Sequence, residues 1–232
     1  MSNTCNAVLD DPVGQSLRGH HRHLARTCGR AVAYAPQVAT FVAVPVENRP
    51  EDWADLAALL GPGGFADMFS SPLNPPPGWE PVFTTHGVQM VGDFTDIELE
   101  DTLPAVTELT DADVPDMLDL TSRTHPGPLW ARTIRMGTYL GIREGGELIA
   151  MAGERLRPPG WSEISAVCTA AECRGRGLAS QLVRHLAARI VARGQRPFLH
   201  VVRDNPAAIG LYQRLGFCIR RSVTFRGFRV PS

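Results

Sequence analysis

Residues Trp161 to Leu186 read WSEISAVCTAAECRGRGLASQLVRHL. Glu163 to Thr169 reads as a short strand and Arg174-Gly175-Arg176-Gly177 as a tight turn. Leu178, Leu182, Val183 and Leu186 then recur at helical spacing. A strand, a glycine turn and a helix in that order form a cradle for an anion. The first amides of a helix have no partner inside it, and the helix dipole adds partial positive charge there. Glycine lets a ligand approach the backbone, and arginine can meet a phosphate at two points. The Gly-Lys-Ser/Thr ending of a P-loop and the three-glycine spacing of a dinucleotide fold are both absent, which argues against either of those sites.

Further along, Phe198 to Val202 reads as a buried strand, and Asn205 to Phe217 reads NPAAIGLYQRLGF. Pro206 suits the first position of a helix with Asn205 as its cap, and Gly216 suits its C-terminal stop. A last strand is expected from Phe217 to about Phe228.

Two spaced motifs carry a family resemblance. Arg174-x-x-Gly177-x-Ala179 resembles the Arg/Gln-x-x-Gly-x-Gly/Ala signature of the GNAT N-acetyltransferase superfamily. Asn205-x-x-Ala208-x-x-Leu211-Tyr212-x-x-x-Gly216-Phe217 resembles its second signature, in the right order with one helix and one strand between. The resemblance covers Pro104 to Ser232 and is nearest the FR47-like branch. It implies an α/β fold with a mixed sheet, the GNAT acyl-CoA N-acyltransferase fold. The implied activity is transfer of an acetyl group from acetyl-CoA, as co-substrate and without a metal, to a primary amine by direct attack in a ternary complex. A non-catalytic acyl-CoA-binding sensor or interaction module is the alternative.

The resemblance also distributes roles. The backbone of Val167, Cys168 and Thr169 would pair with the pantetheine arm as an added strand. Amides of Arg174, Gly175, Arg176, Gly177, Leu178 and Ala179 would hold the pyrophosphate, and Asn205 would contact CoA. Tyr212 would protonate the departing thiolate, since a phenol with a pKa of ~10 stays protonated at neutral pH. An amine must lose a proton to attack, so a carboxylate or water is needed. Glu163, eleven residues before Arg174, stands at the spacing of the catalytic glutamate in the histone-type branch. In strict alternation it shares a face with Ser165, Val167 and Thr169. Glu154 and ordered water are the rivals. Cys173 stands where relatives often have an aromatic residue or histidine, a departure expected to change packing only.

Composition bounds the rest. The chain has 232 residues and a net charge of -1, enough for one large domain or two small ones. Met1 to Leu103 holds five arginines against thirteen acids, whereas Pro104 to Ser232 holds eighteen against eleven. A basic C-terminal part suits a polyanion such as CoA or docking onto the acidic part. The sequence contains no lysine, which removes lysine nucleophile and Schiff-base chemistry. Five scattered cysteines without metal-ligand spacing, no apolar run of membrane length and no signal-peptide pattern suggest a cytoplasmic protein with reduced thiols. Neither nucleic acid nor membrane is expected as a partner, and a homodimer is left open.

The organisation expected is an N-terminal α/β domain over 1–103, structural or substrate-shaping, with a degenerate GNAT-like half as an alternative reading, and a GNAT domain over 104–232. Acidic Gly92 to Thr102 marks the boundary. Within the first part a helix is expected near Leu17 to Ala25, with His20, His21 and His23 on a solvated face. An extended run is expected from Tyr34, a helix after Pro50, and strands at Phe65 to Phe69 and Trp79 to Val91. In the second part Thr110 should cap a helix, and Tyr139 to Glu154 should form a hairpin.

Overall fold

The computed structural model describes residues 7–94, 97 and 105–231. Its centre is one eight-stranded sheet. Across the sheet lie β4 (Phe65–Met68), β11 (Phe217–Arg229), β5 (Glu80–Gly92), β10 (Arg196–Val202), β9 (Trp161–Thr169), β8 (Glu147–Glu154), β7 (Tyr139–Glu144) and β6 (Val106–Glu108). Neighbours are antiparallel except β9 and β10, which run parallel. A smaller sheet joins β1 (Ala25–Cys28), β2 (Ala31–Tyr34) and β3 (Val42–Ala43). The helices are α1 (Pro12–Arg18), α2 (Pro50–Leu60), α3 (Val114–Thr124), α4 (Leu178–Ala192) and α5 (Pro206–Arg214).

Local chemistry explains the helix boundaries. The Thr110 hydroxyl accepts from the Ala112 amide, and the Asp113 carboxylate accepts from the Thr110 amide, so the start of the α3 segment is closed from both sides. Asn205 Oδ1 accepts from the Ala208 amide at 3.0 Å, and Pro206 follows it as the first residue of α5. Gly216, at φ +96°, ends that segment where an L side chain would be strained. Along α4 the expected stripe of Leu178, Leu182, Val183 and Leu186 is buried, together with Ile190, and packs against β8 and β9. Burying each such leucine is worth about 2 kcal/mol, so Leu186→Ala would cost roughly 2–5 kcal/mol through the cavity it leaves.

The expected boundary at Leu103 does not divide the sheet. β5, from the first part of the chain, lies between β10 and β11, with Val91 opposite Phe198 and Gly92 opposite Phe217. Trp161 and Phe198 share a core cluster with Leu9, Val13 and Phe41. The expected linker lies mostly outside the described residues, apart from 92–94 and 97.

The first helix also differs from expectation. It ends at Arg18, and Ala25 already opens β1. His21 is buried, not solvated: one ring nitrogen meets the Tyr34 hydroxyl at 2.7 Å and the other the Met136 carbonyl at 2.8 Å. Burial lowers its pKa to about 4, so it stays neutral. Its long-range partners are invisible to local patterning. Among the described residues no helix is long and apolar enough to cross a membrane.

Candidate active site

The parallel pair β9 and β10 builds the site by parting. Their ladder holds three positions, Arg196 opposite Trp161, Pro197 opposite Ser162 and Phe198 opposite Glu163. Beyond them β10 continues along β5 to Val202, while β9 continues along β8 to Thr169. The edge of β9 that faced β10 is therefore left without a strand over Ile164 to Thr169. A cavity of about 600 Å³ lies at this splay, a size suited to a small-molecule site. Ile164 to Val167 line it from one arm and His200 to Val202 from the other.

A bulge sets the face of β9. Ser165 pairs with Gly153 and Cys168 with Met151, so two residues of β9 stand against one of β8. Ala166 takes φ +53° to allow it, a conformation costing about 1–3 kcal/mol for a residue with a side chain. The expected alternation from Glu163 through Thr169 is corrected here. Ser165, Ala166 and Val167 line the cavity in succession, and the phase change separates Glu163 and Ser165 from Val167 and Thr169.

The glycine turn has the expected form. Gly175 and Gly177 sit at φ +78° and +81°, and a Cβ at either would meet no protein atom within 4 Å. Among the described residues the amides of Gly175, Arg176 and Gly177 donate to no backbone carbonyl. Gly177 precedes α4 without a side-chain cap, so the first-turn amides that include Leu178 and Ala179 also lack a capping acceptor. The Arg176 side chain turns away to a two-point pair with Glu144, at 2.9 and 3.0 Å, so it would serve the loop through its amide. Arg174 is exposed, with Nε 3.4 Å from the Thr169 carbonyl. Cys168 and Cys173 are buried.

Asn205 and Tyr212 meet the same cavity from α5 and its cap. The Tyr212 ring is 8% exposed and packs edge-on to Phe217. Its hydroxyl has no hydrogen-bond partner among the described residues. Burial, followed by the nearby Cys168 sulfur, raises its pKa to about 12, so the proton is retained through the neutral range.

Glu163 sits beneath the cavity and does not line it. Its side chain is 0% exposed. Arg155 donates Nε to Oε2 at 2.9 Å and Nη2 to Oε1 at 2.7 Å. His200 Nδ1 lies 2.6 Å from Oε1, and the Leu156 amide 3.3 Å from Oε2. Burial would raise the pKa, but the Arg155 charge and the His200 contact outweigh it and bring it to about 2. A carboxylate so held is a weak proton acceptor, which counts against the base role expected of it. Glu154 is also buried, bound to the Ser162 hydroxyl at 2.5 Å and Arg193 at 2.6 Å, and it does not line the cavity.

Sequence reasoning missed the other wall, to which the N-terminal part of the chain contributes Phe41, Phe65, Phe69 and Phe83 and β11 contributes Phe225. Asp67 lines it with them. Arg155 lies over the Phe69 ring at 4.4 Å and over Phe41 at 5.2 Å. The signal available was the cluster of phenylalanines on predicted strands, but only the fold shows that they meet.

Comparison with known proteins agrees with this geometry. The family model described as FR47-like protein matches residues 139–226. N-alpha-acetyltransferase RimI of Mycobacterium tuberculosis is 39% identical over 82 residues; the match spans about half (51%) of that relative and 34% of this chain. A solved structure assigned to the GNAT acetyltransferase family, from Novosphingobium aromaticivorans, is 38% identical, with a TM-score of 0.86 over 97% of this chain and 99% of that one. A GCN5-related N-acetyltransferase from Kribbella flavida shares the fold, with a TM-score of 0.62 at 16% identity over 97% of this chain and 96% of its own. The chain belongs to the GNAT family of acetyltransferases.

Proposed function

We propose that the chain moves an acetyl group from acetyl-CoA to a primary amine within a ternary complex. The observation that carries this reading is the splay of β9 from β10, with the uncapped glycine turn at one end and Tyr212 lining the cavity. The freed edge over Val167, Cys168 and Thr169 suits the amide-bearing pantetheine arm as an added strand. The amides from Arg174 to Ala179 suit the pyrophosphate, and Asn205 lies where a CoA contact is expected. The residues present therefore fit an acyl-CoA.

In this mechanism the neutral acceptor nitrogen attacks the thioester carbonyl carbon. A backbone amide near Val167 stabilises the oxyanion as the tetrahedral intermediate forms. The C–S bond then breaks, and Tyr212 gives its proton to the sulfur, releasing CoA thiol and an N-acetyl amide. A group lining the cavity, or water, takes the proton lost by the amine. Glu163 is assigned to holding Arg155 and His200 in place. Alignment of the two substrates contributes the larger part of the rate gain. Residues 1–103 shape the acceptor side, a role supported by the Thr40, Phe41, Asp67 and Phe69 contributions to the wall. The test is release of free thiol from acetyl-CoA across a library of primary amines. An acyl-CoA sensor would bind acetyl-CoA and release none with any amine.

A further inference from the structure

Asp67 is the unexplained charge of the cavity. It lies on β4, is 6% exposed and lines the cavity beside Thr40. The Thr40 hydroxyl donates to its Oδ2 at 2.9 Å, and its Oδ1 has no hydrogen-bond partner. Among the described residues Asp67 forms no ion pair. Among the described residues the cation that influences it, Arg155, is bound at two points to Glu163. His200, whose pKa burial lowers against the pull of Glu163, points Nδ1 at that same carboxylate. Arg155 is engaged by Glu163 and acts on Asp67 only from a distance, so the Asp67 carboxylate is left without an ion-pair partner of its own. A buried charge without a partner is costly, and its presence in a cavity marks a place where a ligand completes the pairing.

The surroundings limit what that ligand is. Phe41, Phe65, Phe69, Phe83 and Phe225 supply apolar and aromatic surface around the single carboxylate. Ring faces add attraction for a cation. A polyamine would bring a second charge for which the lining offers no second carboxylate, and an anionic acceptor would meet Asp67 repulsively. The terminal torsion of an aspartate is soft, so its carboxylate can turn an oxygen toward an arriving donor.

Resting on the acetyltransferase reading, we propose that the acceptor is a monocationic primary amine on an aromatic or aliphatic body, and that Asp67 binds its ammonium group. The ammonium replaces the missing partner of the carboxylate and gives one proton to water before the neutral nitrogen attacks, and the phenylalanine wall takes the body.

The test is calorimetric binding of 2-phenylethylamine and of its neutral counterpart 2-phenylethanol to the full chain. The wild type should prefer the amine by about tenfold or more, the range of a hydrogen bond to a charged group. In Asp67→Asn the preference should collapse to within about twofold. A residue serving structure alone would leave the preference intact. If Asp67→Asn does not fold, the wild-type pair of ligands still decides: equal binding of amine and alcohol overturns the ammonium site. Amine preference without any thiol release would retain this site and reject acetyl transfer. Thiol release with amines at an unchanged preference in Asp67→Asn would do the reverse.

Discussion

Arg155 binds Glu163 at two points, Nε to Oε2 at 2.9 Å and Nη2 to Oε1 at 2.7 Å, and the same guanidinium lies 4.4 Å over the Phe69 ring. A residue with the chain spacing of a catalytic base is thereby an anchor under the cavity. Both of its oxygens are occupied, and what it positions is Arg155, His200 and the aromatic wall.

Glu163→Gln should therefore act first on stability. Removing one partner of a buried ion pair costs roughly 3–5 kcal/mol, which lowers Tm by on the order of 10 °C for a chain of this size. The folded pKa, about 2, lies below the ordinary 4.5. Its stabilisation is thus complete above about pH 4.5 and is lost as pH falls toward 2. Thermal melts of the wild type and Glu163→Gln across acid pH check this. A variant with unchanged Tm and lost kcat would restore Glu163 as the base.

Tyr212→Phe should lower kcat by about a hundredfold, the usual worth of one general acid, with the KM for the amine and the Kd for acetyl-CoA little changed. The phenol pKa of about 12 keeps it protonated to high pH, so no fall in rate from this group should appear below pH 10. Steady-state kinetics on both proteins tests the split. Equal kcat values would remove Tyr212 from the chemistry.

Gly177→Val should damage donor binding. At φ +81° a β-branched residue is strained by about 1–2 kcal/mol. The added carbons would stand in space that no protein atom occupies at Cβ. Titration calorimetry should show acetyl-CoA affinity reduced about tenfold or more, at the cost of one or two lost amide contacts. Undiminished affinity would mean that the turn does not hold the pyrophosphate.

Asp67 should give the activity an acid limb. Burial raises its pKa from 3.8 to about 6, against the opposing effects of the Thr40 hydroxyl and the Arg155 charge. Arg155 keeps its charge and Glu163 is ionised across this range, and Asp67 is a cavity-lining carboxylate whose raised pKa falls within it, beside the imidazoles of His125 and His200. KM for a cationic amine should rise as pH falls below about 6. For folding the sign is opposite to that of Glu163. A carboxylate with a raised folded pKa loses stability as pH rises from about 4 to 6, by about 3 kcal/mol. Asp11, raised to about 6 by its own burial, adds a loss in the same window. Asp67→Asn should remove the acid limb in KM and leave the Asp11 part of the stability profile.

How far the sequence speaks depends on the range of the interactions. The strand, turn and helix from Trp161 to Ala192 and the capped α5 were legible because caps, glycines and 3.6-residue spacing act between near neighbours. The insertion of β5 between β10 and β11 was not, because Met90 meets Leu199 and Ile219 from far along the chain. The base role expected of Glu163 rested on its eleven-residue spacing before Arg174 and on strict alternation to Thr169; the bulge at Ala166 interrupts the alternation, and the spacing carries no sign of the Arg155 and His200 contacts. Asp67 carried no local sign of its role. Its isolation depends on Arg155 being taken by Glu163, a relationship between residues on three strands or their ends.

The most direct measurement is the fate of an isotopically labelled acetyl group, followed by mass spectrometry after the chain is mixed with labelled acetyl-CoA and 2-phenylethylamine or another accepted primary amine. The label should appear on the amine nitrogen as an amide, with one CoA thiol released for each amide formed. An intact thioester with every amine offered, or label recovered only as free acetate, would contradict acetyl transfer at this site.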